Sequence, residues 1–80
     1  MSNEFKQLLD IVREPVESSN IDSIGYDAVL RVIQVQFQNG RVYQYDDCDQ
    51  ELYDGFIAAP SKGIYFNTMI KGVKRYAEVA

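Results

Sequence analysis

The fold of this chain is decided by residues 33–45, Ile33-Gln34-Val35-Gln36-Phe37-Gln38-Asn39-Gly40-Arg41-Val42-Tyr43-Gln44-Tyr45. In the first half of this stretch, apolar and glutamine side chains alternate, which is the two-residue period of a strand with one buried face. Asn39-Gly40 then supplies the residues that tight hairpin turns favour, and a second run typical of strands follows. The stretch predicts a β-hairpin with one apolar face and one polar face.

The length of the hairpin loop decides which face carries Tyr43 and Tyr45. If Asn39 and Gly40 alone form the loop, both tyrosines lie on the glutamine face, where exposed rings stack on bases. If Gln38 also belongs to the loop and Gly40 sits in a bulge, both rings join the apolar face. Large aromatic side chains on a small sheet are usually buried, which favours the longer loop.

The segments around the hairpin predict an α+β fold, a small antiparallel β-meander packed by helices. A strand is expected at residues 21–26, ahead of the hairpin. A helix is expected at residues 50–58, a second short helix begins after Ser61, and a last strand lies within residues 73–79. In the first of these helices Leu52, Phe56 and Ile57 share one face, so all three are expected to be buried.

An added amphipathic helix is predicted at the N terminus, within residues 1–15, ahead of a domain of residues 16–80. Asn3 is a suitable cap for this helix. Its apolar stripe has the spacing i, i+3, i+4 and i+7 and consists of Phe5, Leu8, Leu9 and Val12. Such a helix is a natural oligomerisation element, so a homo-oligomer is expected.

Length and composition limit the class of protein. With 80 residues, 46% of them hydrophobic and 25% charged, the chain predicts one globular domain near the lower size limit for a single core. No apolar run approaches the ~20 residues of a membrane-spanning helix, and no signal-peptide pattern follows Met1. We therefore expect no membrane partner and a cytoplasmic location, in the host cell if the gene belongs to a phage.

The supply of reactive side chains argues against an enzyme. The chain has no histidine, and its single cysteine, Cys48, lies among Asp46, Asp47 and Asp49, where negative charge disfavours a thiolate. The three aspartates lack the spacing of a calcium loop, and the chemistry of turns and helix caps explains them. We expect no catalytic residue, no metal and no cofactor.

Charge is unevenly distributed along the chain, whose net charge is −4. Residues 1–54 hold eleven acids and four bases, whereas residues 55–77 hold four bases and no acid. The acidic first part disfavours binding to long nucleic acids, and the basic part is either a solvated surface or a patch for a small anion.

A small-nucleotide site is the functional hypothesis for this basic part. The start of a helix at Ser61-Lys62-Gly63 would offer free N–H groups to phosphate, although a plain capped turn explains this tripeptide equally well. Nearby cations and aromatic rings would add charge and stacking. The candidate ligand-binding residues are Ser61, Lys62, Gly63, Tyr65, Lys71, Lys74, Arg75, Tyr76, Tyr43 and Tyr45.

Residues 16–76 resemble the KTSC domain, a family named after the C-terminal domain of some lysyl-tRNA synthetases that also occurs as short stand-alone proteins. The blocks that carry the resemblance are Ser18-Ser19-Asn20-Ile21, Ile24-Gly25-Tyr26-Asp27, Phe37-Gln38-Asn39-Gly40, Tyr43-Gln44-Tyr45 and Ala59-Pro60-Ser61-Lys62-Gly63-Ile64-Tyr65-Phe66-Asn67. The resemblance implies a common fold, and RNA binding has been suggested for the family.

Two main classes of function are compatible with these observations. The first is a non-enzymatic module that binds a small nucleotide, such as a cyclic dinucleotide; by analogy of size, acidity and domain type, it would be an oligomeric phage protein that sequesters a cyclic nucleotide signal of host antiviral defence. The second is an RNA-binding accessory domain. A protein–protein interaction domain or an acidic mimic of nucleic acid are further alternatives.

Overall fold

The computed structural model describes residues 6–80 and shows a five-stranded antiparallel sheet in the order β1-β2-β3-β4-β5. The strands are β1 (Glu14–Pro15), β2 (Ile21–Asp27), β3 (Val32–Phe37), β4 (Val42–Tyr45) and β5 (Tyr76–Glu78). The helices are α1 (Gln50–Ala58), α2 (Lys62–Tyr65) and a π-helix (Phe66–Ile70). The predicted α+β meander is confirmed. Within the described range, no helix has the length and apolar character needed to cross a membrane.

The register of the β3–β4 hairpin places both tyrosines on the apolar face. Val35 pairs with Tyr43 and Ile33 with Tyr45, which leaves a three-residue loop before Arg41. Gly40 in that loop has a φ of 89°, a conformation that favours glycine. The longer of the two predicted loops is therefore the one that forms.

The core lies between the apolar face of the sheet and the helices that follow β4. Its fully or almost fully buried members are Ile21, Ile24, Ile33, Val35, Tyr45, Cys48, Phe56, Phe66 and Ile70. Helix α1 begins after Asp49, whose carboxylate accepts a hydrogen bond from the main-chain N–H of Leu52 (2.8 Å). This bond confirms that Asp49 caps the helix.

The buried face of α1 is narrower than the sequence predicts. Phe56 is completely buried and Leu52 is half-buried, but Ile57 is 38% exposed, so the prediction that Ile57 belongs to the core is wrong. Successive residues of an α-helix point about 100° apart. Because the side chains of Leu52 and Phe56 face the sheet, the side chain of Ile57 points past the edge of the sheet.

The second helical segment changes its type halfway along. Ser61 caps α2, accepting a hydrogen bond from the main-chain N–H of Ile64 (3.2 Å), as predicted. From Phe66 the segment continues as a π-helix, in which the N–H of Lys71 donates to the carbonyl of Phe66 (2.8 Å). Gly72, with a φ of 78°, ends it. Short π-helices occur frequently at functional sites, and this one borders the pocket described below.

The N-terminal segment, residues 7–13, crosses the other face of the sheet instead of forming a helix. Residues 8–13 have no helical structure, so the predicted amphipathic helix is wrong there; residues 1–5, with Asn3 and Phe5, lie outside the described residues. The reason is a set of hydrogen bonds from the sheet to the main chain of the segment. Gln44 donates to the carbonyl of residue 7 (2.8 Å), and Gln34 donates to the carbonyl of Leu9 (3.0 Å).

This second face is the polar face of the sheet, and it is defined by Ser23, Gly25, Gln34, Gln36 and Gln44. Gln34 and Gln44 pair across β3 and β4, are fully buried, and hydrogen-bond to each other (2.8 Å). Gly25, which lies on β2, pairs with Gln34 on β3. The sequence pattern correctly separates the two faces, but the glutamines are covered by the chain rather than by solvent.

Candidate functional site

A pocket of about 520 Å³ opens between the β3–β4 hairpin, β5 and the π-helix, and we call it the aromatic pocket. The rings that line it are Phe37, Tyr43, Tyr45, Phe66 and Tyr76. The polar residues and the glycine around it are Asn20, Asn39, Arg41, Asn67, Lys71 and Gly72. The pocket is formed where the apolar face of the sheet extends past the helices, so its floor is the edge of the core.

The rings hold one another in fixed positions. Tyr76 lies over the pair Tyr43 and Tyr45, with ring centroids 5.9 Å and 6.0 Å away. Phe66 meets Tyr45 edge to face (5.3 Å), and Phe37 meets Tyr43 in the same way (5.5 Å). Aromatic side chains packed at such distances stabilise each other and lose little freedom when a ligand binds.

Solvent exposure differs sharply between Tyr45 and Tyr76. Tyr45 is 5% exposed, and Tyr76, on the outermost strand, is 60% exposed. Burial, followed by the nearby phenols of Tyr43 and Tyr76, raises the pKa of Tyr45 above its ordinary value. Tyr76 is therefore the ring that a ligand reaches first, and Tyr45 is part of the floor.

The charge at the pocket is positive. Of the described residues that line it, Arg41 and Lys71 are cations and none is acidic. Arg41 is paired with Glu78 (3.2 Å), which also accepts a hydrogen bond from the hydroxyl of Tyr43 (3.4 Å). Lys71 has no ion-pair partner within residues 6–80. A cation without a partner beside aromatic rings suits an anionic ligand with a flat ring.

The π-helix supplies a further polar group. Asn67 lies in its first turn and lines the pocket, and its amide makes no hydrogen bond with the part of the chain that the structure describes. A carboxamide offers both a donor and an acceptor, which is the pattern that reads the edge of a base. The pocket thus combines stacking surface, positive charge and the amide of Asn67.

Sequence and structure comparisons place the chain in a family. The family model for the KTSC domain matches residues 17–76. The chain belongs to the KTSC domain family. A KTSC domain protein from Yersinia pestis has a similar crystal structure, with a TM-score of 0.85 and 37% identity, covering 88% of this chain and 99% of that one.

Relatives of this KTSC domain occur both alone and within a larger enzyme. A protein of Tsukamurella paurometabola is 36% identical over 58 residues, which are 72% of this chain and 87% of that protein. A lysine–tRNA ligase of Nostoc punctiforme is 28% identical over 89% of this chain, but the matched part is only 13% of the ligase. The predicted resemblance is confirmed, including the existence of short stand-alone forms.

The aromatic pocket gathers part of the predicted ligand site. Four of the ten predicted residues line it: Tyr43, Tyr45, Lys71 and Tyr76. Both tyrosines lie on the apolar face, as the longer loop requires, and both also line the pocket, so their place on the core face does not remove them from the candidate site. The predicted combination of a C-terminal cation with tyrosine rings is present here.

The predicted helix-start tripeptide lies outside this pocket. Ser61 is occupied as the cap of α2, and the ammonium of Lys62 donates to the carbonyl of Ala59 (2.6 Å). Gly63 lies close to Asn20, since a Cβ added at Gly63 would be 3.3 Å from the Asn20 side-chain oxygen. The capped-turn interpretation of this tripeptide accounts for the geometry.

The other three predicted residues also point elsewhere. Tyr65 packs against Phe56 and donates its hydroxyl hydrogen to the carbonyl of Leu52 (2.9 Å). Lys74 donates to the carbonyl of Asp47 (2.7 Å), and Arg75 is paired with Asp46. The basic C-terminal part therefore does not carry uncompensated charge throughout, because the β4–α1 loop brings acids next to it.

Several pocket residues are absent from the sequence prediction, among them Asn20, Phe37, Arg41 and Asn67. One signal would have found Arg41: side chains two residues apart share a face of a strand, so Arg41 follows the same face as Tyr43. Asn20 and Asn67 come from loops and helices remote in sequence, and no period connects them. The blocks through which the chain resembles the family nevertheless supply both.

The structure shows a structural role for Cys48. Its thiol is fully buried and donates to the carbonyl of Tyr45 (3.4 Å). Burial raises the pKa of this thiol to about 11, which makes a thiolate rare at neutral pH. Among the described residues, no group of histidine, cysteine and acidic side chains could hold a metal ion.

Proposed function

We propose that this KTSC domain binds a small nucleotide in the aromatic pocket without transforming it. The observation that carries the proposal is the wall of the pocket, which has five rings and two cations but no acidic residue among the described ones. The chain as a whole has a net charge of −4, so the charge of the pocket lining is opposite in sign to the net charge of the chain. Rings stack on bases, and cations bind phosphate.

Each part of the pocket has a role in the proposed complex. Tyr76, the exposed ring, stacks on the base, and the amide of Asn67 bonds to its edge. Lys71 and Arg41 lie at the rim and bind the phosphate. Because Arg41 already holds Glu78, Lys71 contributes the larger share of the charge.

The size of the pocket favours a small ligand over a polymer. A volume of about 520 Å³ lies within the ~300–1,000 Å³ typical of small-molecule sites. Binding to a long nucleic acid depends on many phosphate contacts, and the described lining of the pocket offers two cations. One base with its phosphate, or one half of a cyclic dinucleotide, fits this supply of groups.

Binding without catalysis would make the protein a sequestering agent. None of the described residues that line the pocket is acidic, the chain has no histidine, and its cysteine is buried. We therefore propose that the protein lowers the free concentration of its ligand. Capture of a cyclic nucleotide signal of antiviral defence by a phage-encoded homo-oligomer is the specific form of this proposal, and its oligomeric state stays a prediction.

Calorimetric titration with nucleoside monophosphates, cyclic mononucleotides and cyclic dinucleotides tests the proposal. At least one ligand should bind with micromolar affinity. Lys71→Ala should weaken that affinity about tenfold, because a charge-assisted hydrogen bond to phosphate is worth roughly 1.5–3 kcal/mol. Tyr76→Ala should weaken it at least fivefold, since a base–aromatic stack is worth about 1–3 kcal/mol.

Lys62→Ala is the matched control, because it removes the same charge from a lysine outside the aromatic pocket. Its affinity should equal that of the unchanged protein. An equal loss in Lys62→Ala and Lys71→Ala would indicate general electrostatic attraction rather than this site. Failure of the whole set to bind at millimolar concentration would contradict nucleotide binding.

RNA binding is the second candidate, and it is favoured by one finding. A similar sequence forms part of a lysine–tRNA ligase, an enzyme whose name states that it acts on tRNA. Fluorescence anisotropy with labelled tRNA at several salt concentrations separates the two functions. RNA binding predicts a tRNA affinity that falls steeply with salt, whereas the pocket proposal predicts no binding of tRNA under conditions in which the small nucleotide binds.

A further inference from the structure

The lining of the aromatic pocket includes three asparagine side chains, those of Asn20, Asn39 and Asn67. A primary amide has an oxygen that accepts hydrogen bonds and a nitrogen that donates them, so what it offers a ligand depends on which end is already occupied. The amide of Asn67 bonds to none of the described residues, and it can turn either end to a ligand. The other two amides are each held in one orientation.

The hairpin turn fixes the orientation of Asn39. The side-chain oxygen of Asn39 accepts a hydrogen bond from the main-chain N–H of Arg41 (3.0 Å). A main-chain N–H can only donate, so the oxygen must be the end of the amide that faces it. The amide nitrogen of Asn39 has no acceptor among the described residues and is therefore the end left for a ligand.

A chain of hydrogen bonds fixes the orientation of Asn20. The hydroxyl oxygen of Ser18 accepts from the main-chain N–H of Ile21 (3.2 Å) and from that of Asn20 (3.4 Å). Both lone pairs of this oxygen are then used, and its hydrogen is donated to the side-chain oxygen of Asn20 (2.9 Å). For Asn20, too, the amide nitrogen is the end left for a ligand, because it bonds to no described residue.

The two fixed amides belong to the same end of the pocket. The main-chain N–H of Gln38, the residue before Asn39, donates to the carbonyl of Asn20 (2.8 Å). The two amide nitrogens are thus neighbouring donors. Arg41 and Lys71, the cations of the lining, also donate only. Four described side chains of the pocket therefore offer a ligand donors alone, and a base edge made of acceptors is the edge that fits them.

We propose that the aromatic pocket prefers a purine with a carbonyl group at position 6, guanine or hypoxanthine, over adenine, a preference that rests on the nucleotide binding proposed above. In guanine and hypoxanthine N7 and O6 lie side by side and both accept, which matches the two neighbouring amide donors of Asn20 and Asn39. In adenine N7 lies beside an amino group, so one amide would direct its N–H at another N–H. Thymine offers a single acceptor on the same edge.

Calorimetric titration of the full chain with a set of purine nucleotides tests this preference. The set consists of GMP, IMP, AMP and 7-deaza-GMP, with cyclic di-GMP and cyclic di-AMP as a second pair. GMP and IMP should bind within about threefold of each other, because both keep N7 and O6. AMP, and 7-deaza-GMP with a C–H in place of N7, should bind about tenfold more weakly than GMP, and cyclic di-AMP about tenfold more weakly than cyclic di-GMP.

Asn39→Asp and Asn20→Asp, made singly, test the two amides. Each variant keeps a side-chain oxygen for the bond from Arg41 or Ser18 and replaces the amide donor by a carboxylate oxygen. The readout is the ratio of the affinities for GMP and AMP, because the added negative charge weakens the binding of both phosphates alike. This ratio should fall from about tenfold to near equality.

Gln7→Glu is the matched control, because it makes the same amide-to-carboxylate change at an exposed residue on the polar face of the sheet, away from the pocket. Its ratio of GMP to AMP affinity should equal that of the unchanged protein. Circular dichroism verifies that each variant is folded. The nucleotide series is measured on the unchanged protein, so the test stays decisive even if an aspartate variant does not fold.

The outcomes separate the base preference from nucleotide binding itself. Equal affinities for GMP and AMP, equal affinities for GMP and 7-deaza-GMP, or a ratio that both folded aspartate variants leave unchanged would overturn the preference while nucleotide binding still holds. A pyrimidine nucleotide bound more tightly than every purine would do the same. If no nucleotide binds at millimolar concentration, nucleotide binding is contradicted, and the base preference fails with it.

Discussion

Replacing Phe56 and Ile57 by alanine, one at a time, tests which side of α1 lies against the sheet. The two side chains are neighbours in sequence, and their surroundings differ. Phe56 is completely buried and stacks on Tyr65, with ring centroids 5.6 Å apart. Its ring also faces that of Phe66 at 6.4 Å. Ile57 is 38% exposed and takes no part in the core cluster.

The expected losses of stability follow from these surroundings. Removing a fully buried phenylalanine costs about 3–5 kcal/mol, through lost transfer energy and the cavity that remains. For Ile57, part of the side chain is already in water, and alanine favours the helix by a few tenths of a kcal/mol. We therefore expect about 1–2 kcal/mol for Ile57→Ala, well below the roughly 2–5 kcal/mol of a fully buried isoleucine.

Urea unfolding followed by circular dichroism measures both changes. With a slope of about 1 kcal/mol per molar urea, Phe56→Ala should move the midpoint down by about 3–5 M and Ile57→Ala by about 1–2 M. A domain of this size is stable by only about 4–12 kcal/mol, so Phe56→Leu serves if the alanine variant does not fold. A larger loss for Ile57→Ala than for Phe56→Ala would mean that α1 is rotated by about 100° and would refute the core described above.

Three further predictions concern single positions. Burial raises the pKa of Cys48 from an ordinary 9.0 to about 11, so the thiol of the unfolded chain loses its proton at a lower pH than that of the folded chain. Relative to Cys48→Ala, the free energy of unfolding should be unchanged below pH 9 and fall by about 2–3 kcal/mol as the pH rises to 11. Parallel curves of stability against pH for the two proteins would contradict this. Asp49→Ala should cost about 1 kcal/mol in thermal unfolding, because the N–H of Leu52 loses its acceptor, and an unchanged melting temperature would show that the cap contributes nothing. Gly40→Ala should cost about 1–2 kcal/mol through its positive φ alone, since no atom lies within 4 Å of the added Cβ; Gly40→Asn should cost less, and the reverse order would contradict the turn geometry.

The sheet was predictable because its period is short and local. Alternation in residues 33–37 and the turn at Asn39-Gly40 identify the hairpin, and the register follows once the loop length is known. The structure of the N-terminal segment was not predictable in this way, because its apolar spacing fits a helix as well as an irregular chain. What decides its structure is a pair of buried glutamines far away in sequence, Gln34 and Gln44. Tertiary hydrogen bonds override local periodicity there.

The candidate site was half predictable for a related reason. Tyr43 and Tyr45 are marked by their place on a strand, and Tyr76 by its place in the C-terminal part of the sequence that holds cations and no acid. The cations that are available to a ligand are harder to predict, because a count of charges along the sequence does not show which acids lie next to which bases in the folded chain. Arg75 meets Asp46 in this way, whereas Lys71 has no ion-pair partner among residues 6–80.

The two outermost strands affect how the domain coexists with other folded units. β1 has two residues, one of them Pro15, which has no N–H, and β5 has three, ending at the charged Glu78. Long unpaired edges invite strands from other chains to add to a sheet, and short edges with proline or charge resist this. A KTSC-like sequence is carried within a lysine–tRNA ligase as 13% of its length. A domain with such short edge strands can be fused to a large enzyme, because its sheet does not readily pair with strands of that enzyme during folding.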